Sequence, residues 1–164
     1  VSSDILVVLQ PTSPLRNSKD ISNALSFLLD GDVQGVVSVC ECEHSPLWSN
    51  TLPESKLMGE FIMPDLATKR SQDLPVYYRL NGAIFAYNVS FLKKHKIRLY
   101  SNEIIATVMP ANKSVDIDNE IDFKFAEFLV DCGIDSISLI RVIKPPSNLL
   151  DKKQQIGEPS SALS

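Results

Sequence analysis

Two prolines within four residues, set between a wholly apolar run and an amphipathic one, constrain this chain more than any other feature. Asp4-Ile-Leu-Val-Val-Leu9 is apolar and rich in β-branched residues, which suits a strand buried on both faces of a parallel sheet rather than an alternating one. Gln10-Pro-Thr-Ser-Pro-Leu-Arg16 follows at once. Proline brings a fixed φ and no N–H, so this segment can be neither ladder nor helix interior, and a rigid loop at the carboxyl end of the strand is expected. Beyond it Ile21, Ala24, Leu25, Leu28 and Leu29 recur at helical spacing, with Asn17 or Ser18 as the cap and Asp30-Gly31-Asp32 as the stop. Val36 to Cys42 is the next strand, so residues 4–42 form one strand, helix, strand unit with a right-handed crossover expected. The fold class is α/β.

Further along, the pattern dissolves from about His44 to Tyr78, an excursion long enough to expect a functional or interfacial role. A strand is expected at Gly82–Tyr87, a short helix at Ser90–Lys96 and a strand at Ile104–Met109. Ser114-Val-Asp-Ile-Asp118 then leads into a helix capped by Asp118 or Asn119, with Ile121, Phe125, Phe128 and Leu129 facing inward. Residues 1–142 read as one domain and 143–164, polar and Ser-rich after Lys144-Pro-Pro, as a flexible tail.

Composition removes several function classes. A chain of 164 residues can bury a core that needs neither disulfides nor a structural metal. The net charge is −4 and the basic pairs Lys69-Arg70, Lys93-Lys94 and Lys152-Lys153 are scattered, which argues against a nucleic-acid polymer as partner. The 6 glycines admit no G-x-G-x-x-G fingerprint. No apolar run approaches the roughly 18 residues that span a bilayer, so no membrane association is expected. Cys40, Cys42 and Cys132 cannot all pair, and an odd count fits a reducing, cytoplasmic compartment.

Three groups of residues can carry chemistry. Gln10, Thr12, Ser13 and Arg16 offer hydrogen bonds from a rigid loop where open α/β sheets bind ligands, or they merely cap and connect. Asp116 and Asp118, two apart in extended chain, project from one face and can share a divalent cation such as magnesium; Asp118 can equally serve as a helix N-cap. Lys69 to Gly82 holds three basic residues, two tyrosines and two amides; Arg70 and Arg79 can grip a carboxylate in bidentate fashion, or the stretch is a solvated loop. Cys40, Cys42 and His44 lack a fourth ligand of sensible spacing, so zinc is not expected.

Leu9-Gln-Pro-Thr-Ser-Pro-Leu-Arg16, Glu41-Cys-Glu-His-Ser-Pro-Leu-Trp48, Arg70-Ser-Gln-Asp-Leu-Pro75, Arg79-Leu-Asn-Gly-Ala-Ile-Phe85 and Ser114-Val-Asp-Ile-Asp118, taken in order, resemble the acylneuraminate cytidylyltransferases (CMP-sialic acid synthetases). The resemblance covers Asp4 to about Val130. It implies transfer of CMP from CTP to a nine-carbon sialic-type (nonulosonic) sugar acid, with release of pyrophosphate and with Mg2+. It also implies a nucleotidyltransferase-type, Rossmann-like and mostly parallel sheet, helices on both faces, and a homodimer built through an inserted excursion at about residues 44–78. Gln10 is then placed at the sugar, Arg70 and Arg79 at its carboxylate, Asn81 in the pocket wall, and Asp116 and Asp118 on the metal. Ser13, Arg16, Gln72 and Phe85 complete the substrate-binding set. The metal role of the Asp pair now outweighs the cap role.

Ser71 stands where a second arginine is usual in that family, and Phe85 where tyrosine is common. The family's phosphate-gripping loop, which bears Arg and Gly and ends in Lys, would lie ahead of Val1, so the chain is expected to be the later part of the fold and inactive alone. The other expectation is a non-catalytic sugar-binding or dimerisation module of the same fold.

Overall fold

A computed structural model describes residues 4–31, 33–95 and 100–134. The expected tail at 143–164 lies outside the described residues. In chain order the elements are β1 (Ile5–Val8), α1 (Ser18–Leu29), β2 (Gly35–Glu41), β3 (Tyr78–Asn88), α2 (Val89–His95), β4 (Ile104–Val108) and α3 (Glu120–Asp131). Short 3-10 turns occur at Pro46–Trp48, Ser71–Asp73 and Ala111–Lys113.

The strands form one sheet in the order β1-β3-β2-β4. β2 pairs with β4 in parallel, whereas β3 is antiparallel to both β1 and β2. The sheet is therefore mixed, which corrects the expected mostly parallel one. The cause lies in the excursion between β2 and β3. It leaves and returns at the same end of the sheet, where the Cys42 N–H donates to Tyr77 O at 2.8 Å and Glu41 lies opposite Tyr78. A connection that returns to its starting edge reverses the chain, as a hairpin does. β1 and β2, the ends of the expected strand, helix, strand unit, point the same way but have β3 between them.

α1 forms where its sequence predicts, except that Leu29 of the expected apolar stripe is exposed. Asn17 caps it in a reciprocal box with Asp20, and Ala24 and Leu28 are buried. Those two residues join Val36, Ala83, Ile84, Ala86 and Met109 in the core, flanked by Ile5, Val7 and Leu9. Only alternate residues of β1 reach this core. Leu6 and Val8 are 45% and 44% exposed, so β1 is a half-buried edge strand rather than one covered on both sides. Leu80 and Val108 are exposed as well, and of the expected helices on both faces α1 packs against β2 and β3 and the short α2 against β3.

α3 carries a second correction. Its predicted inward face is open: Ile121 is 78% exposed, Phe125 and Phe128 are exposed too, Leu129 is only partly covered, and Ala126 alone is buried. An amphipathic period reveals that a helix has an apolar face but not what that face meets.

Candidate active site

Because β1, β2 and β4 share one direction and β3 opposes them, four segments meet at one end of the sheet. They are the loop after β1, the exit of β2, the start of β3 and the segment after β4. Carboxyl ends of parallel strands are where open α/β sheets take ligands.

The first segment is held from within. Arg16 is 3% exposed, and its Nη1 donates to the carbonyl oxygens of Gln10 and Ser13. Nε has no partner among the described residues, and burial pushes the guanidinium pKa down from its ordinary value. Ser13, fully buried, donates from Oγ to Asn81 O at 2.9 Å. Arg16 and Ser13 thus shape the loop, and of the predicted set Gln10 and Thr12 are left exposed on it.

Opposite this loop β3 is irregular. Between Val37 and Val39 of β2 the pairing jumps from Phe85 to Leu80, so Asn81 to Ile84 bulge out of register. Side chains replace the missing ladder bonds. Ser38 Oγ accepts from Ile84 N at 2.7 Å and lies 2.6 Å from Asn81 Oδ1, which also accepts from Ala83 N. Gly82, at φ +70°, sits so close to the first loop that a Cβ there would lie 2.1 Å from Gln10 Oε1 and 2.9 Å from Ser13 Oγ. Bulges of this kind re-aim side chains beside functional sites.

The third and fourth segments are tied in turn. Asn81 Nδ2 donates to Ser114 Oγ at 2.9 Å, and Ser114 Oγ donates to Pro110 O at 2.9 Å. The Ile117 N–H donates to Thr12 O at 2.7 Å, joining the backbone between Asp116 and Asp118 directly to the Gln10 loop. Lys113 pairs with Asp20 of α1 at 3.0 Å, with both side chains mostly covered.

Both aspartates are exposed, and neither carboxylate takes a hydrogen bond or ion pair among the described residues. The cap of α3 is Asn119, whose Oδ1 accepts from Ile121 N and Asp122 N, so Asp118 is not spent on the helix. Two unengaged carboxylates on alternate residues suit a hard cation that draws its other ligands from water and substrate oxygen. No group of three or more His, Cys, Asp or Glu that could hold a metal occurs among the described residues. The pair, not a cage, is what the described residues offer.

Arg79 lies at the same end. Its guanidinium grips Glu43 in two-point fashion, Nη2 to Oε1 at 2.8 Å and Nε to Oε2 at 3.3 Å, and Nη2 reaches Ser114 O at 3.4 Å. The hydrogen bond to Glu43 raises the Arg79 pKa, and the same bond, from the other side, lowers that of Glu43. Glu43 borders a cavity of about 360 Å³ with Met109 and Pro110 between the exits of β2 and β4.

Gln10, Ser13, Arg16, Arg79, Asn81 and the Asp116–Asp118 segment are thus brought together. Arg70 is not joined to them: it is exposed and paired with Asp73 at 3.0 Å on the turn that also carries exposed Gln72. Phe85 is partly buried within the sheet, opposite Val8 and Val37. Sequence reasoning missed Ser38, Ser114 and Glu43 as participants. Ser38 carried a signal, a lone hydroxyl inside the apolar strand Val36-Val-Ser-Val39; Glu43 showed nothing beyond a charge in a loop.

No family model matches the chain. Over 117 residues it is 34% identical to the N-acylneuraminate cytidylyltransferase of Streptococcus agalactiae serotype V, a match covering 71% of this chain and 28% of that protein. It is 28% identical over 142 residues to the CMP-N,N'-diacetyllegionaminic acid synthase of Legionella pneumophila, covering 82% of this chain and 57% of that protein. With the post-translational flagellin modification protein B of Campylobacter coli it shares 23% identity over 127 residues, covering 77% of this chain and 53% of that protein. The chain therefore spans little more than a quarter of the streptococcal relative.

Proposed function

We propose, from the premise that this chain is homologous to the N-acylneuraminate cytidylyltransferases, that it forms the sugar- and metal-binding part of a cytoplasmic, homodimeric enzyme transferring CMP from CTP to a nonulosonic acid. One observation carries the reading: the unengaged Asp116 and Asp118 carboxylates flank a backbone bond to the very loop that presents Gln10.

In this reading Gln10 hydrogen-bonds sugar hydroxyls, while Ser13, Arg16 and Asn81 keep its loop rigid so that binding costs little ordering. Arg79 pairs with the sugar carboxylate once that group displaces Glu43, since a guanidinium fork accepts either carboxylate in the same geometry. Arg70 joins it after leaving Asp73, bringing Gln72 with it, and Phe85 packs behind the pocket. Asp116 and Asp118 would hold Mg2+, which supplies positive charge against the triphosphate and the departing pyrophosphate. The two aspartates fix where that charge sits relative to the sugar.

The test is pyrophosphate release by the complete protein with CTP and Mg2+, comparing N-acetylneuraminate and a diacetyllegionaminate as acceptors. Turnover with a nonulosonic acid is the expected result, lost in Asp118→Asn. No turnover with either acid, under conditions where the protein is folded, would leave the binding-module reading in its place.

A further inference from the structure

The Gln10 loop, assigned to the sugar, and the segment bearing Asp116 and Asp118, assigned to the cation, lie far apart in the chain, and the site they form is only as well defined as the distance between them. Three polar side chains buried at this end of the sheet set that distance. Asn81 is 1% exposed, and Ser38 and Ser114 are fully buried. A buried amide surrounded by apolar strands is costly unless every atom is satisfied. Here the Asn81 carboxamide is used at both ends: Oδ1 meets Ser38 of β2 and Ala83 N inside the bulge, and Nδ2 meets Ser114 Oγ. The Asn81 backbone oxygen, on the other side, receives Ser13 Oγ of the Gln10 loop. One residue therefore clamps both ligand-bearing segments onto the central strand pair.

We propose that Ser114, held by Asn81 and through it by Ser38, is a positioning residue for the Asp116–Asp118 pair. The proposal rests on the metal reading above and extends it to residues outside the ligand set. Ser114 is fully buried with its hydroxyl engaged by Asn81 and Pro110, so its role is assigned to positioning and not to ligation. Its hydroxyl is the last link of the clamp before the aspartates, two residues upstream of Asp116, and its carbonyl oxygen also receives Arg79. Without the hydroxyl, Asn81 Nδ2 and Pro110 O lose their common partner, and the segment stays fastened only through the Ile117–Thr12 bond, the Lys113–Asp20 pair and the longer Arg79 contact, none of which joins it to Asn81. Groups that orient metal ligands from behind typically alter metal affinity by about 10–100-fold when removed.

The experiment is direct Mn2+ binding to the complete protein, followed by the relaxation of water protons, with thermal unfolding recorded on the same samples. Asp118→Asn identifies binding at the aspartate pair. Ser114→Ala is expected to weaken Mn2+ binding about 10-fold, and Ser38→Ala, which loosens Asn81 but leaves the Ser114 hydroxyl, to weaken it less. Phe91→Leu, buried on α2 beyond the opposite end of β3 from the clamp, is the stability control; it should lower the melting temperature without moving the Mn2+ affinity. Wild-type affinity in folded Ser114→Ala or Ser38→Ala, or an equal loss in Phe91→Leu, would overturn the positioning role while leaving the metal reading intact. Mn2+ binding absent from the wild type, or unaffected by Asp118→Asn, would overturn the metal reading and the positioning role with it. Because binding is read without turnover, either outcome is separate from whether the sugar acid is the right acceptor.

Discussion

Asn119 and Asp118 are neighbours with opposite duties. Asn119 accepts the N–H groups of Ile121 and Asp122, and Asp122 in return accepts those of Asp118 and Asn119. Asn119→Ala should cost about 1 kcal/mol of stability, as loss of an N-cap does, and leave Mn2+ affinity near wild type. Asp118→Asn should do the reverse: a stability change within about 0.5 kcal/mol and loss of metal binding. Thermal unfolding and Mn2+ titration of the two variants make the comparison. Glu43 poses a similar question. Its carboxylate lies where the fork of Arg79 would hold an acidic ligand, so Glu43→Gln should lower the KM for the sugar acid several-fold and leave that for CTP unchanged. Steady-state kinetics with each substrate varied in turn checks this. The ion pair is largely exposed, which limits its worth to about 0–1 kcal/mol. Arg79 lowers the Glu43 pKa, so this contribution is present at and above the ordinary carboxylate range and is lost as pH falls through the lowered value. In Glu43→Gln the acid limb of a stability-against-pH curve should be correspondingly flatter.

At the scale of elements, the bulge in β3 is the feature most open to a single change. Gly82→Ala would force a side chain into the left-handed region and drive its Cβ against Gln10 and the buried Ser13 hydroxyl. Gln10 Oε1 is the end of a flexible side chain and can swing away, whereas Ser13 is held by Asn81. The conformational cost alone is about 1–2 kcal/mol, and urea denaturation should show at least that, together with a raised KM for the sugar acid as Gln10 is displaced. The same strand shows how far sequence carried. The cap, span and buried face of α1 could be read from Asn17, Ala24 and Leu28, because capping and helical period are local properties. That Gly82–Tyr87 is strand was also legible, but not its true start at Tyr78 or its direction. Direction depends on where the preceding excursion lands, and an apolar run looks the same either way round. Of the site, Gln10 and Asp116 could be named from motifs, while Ser38 and Ser114 act through partners 43 and 33 residues distant from them in the chain. No local pattern encodes such a meeting.

For the whole molecule, the sheet is asymmetric: α1 and the core lie against one face, while Leu6, Val8, Leu80 and Val108 are exposed, as are Ile121, Phe125 and Phe128 on α3. The excursion from Cys42 to Tyr77 adds little to that core, with Leu66 and Leu74 its buried large apolar residues among those described. Replacing residues 45–75 by a short Asn-Gly linker should therefore preserve a cooperative thermal transition in the complete protein and, if the excursion joins the subunits, convert the dimer to a monomer in sedimentation. Unfolding of the shortened protein would instead assign the excursion to the core. Its two ends meet at the Cys42–Tyr77 bond, so the rest of the sheet is indifferent to how much chain lies between them, and the entropic cost of a longer closed segment rises only with the logarithm of its length. Such a port in the fold can accept insertions, deletions or an entire foreign segment, so assembly can be altered there without disturbing the end of the sheet that holds Gln10 and the aspartates.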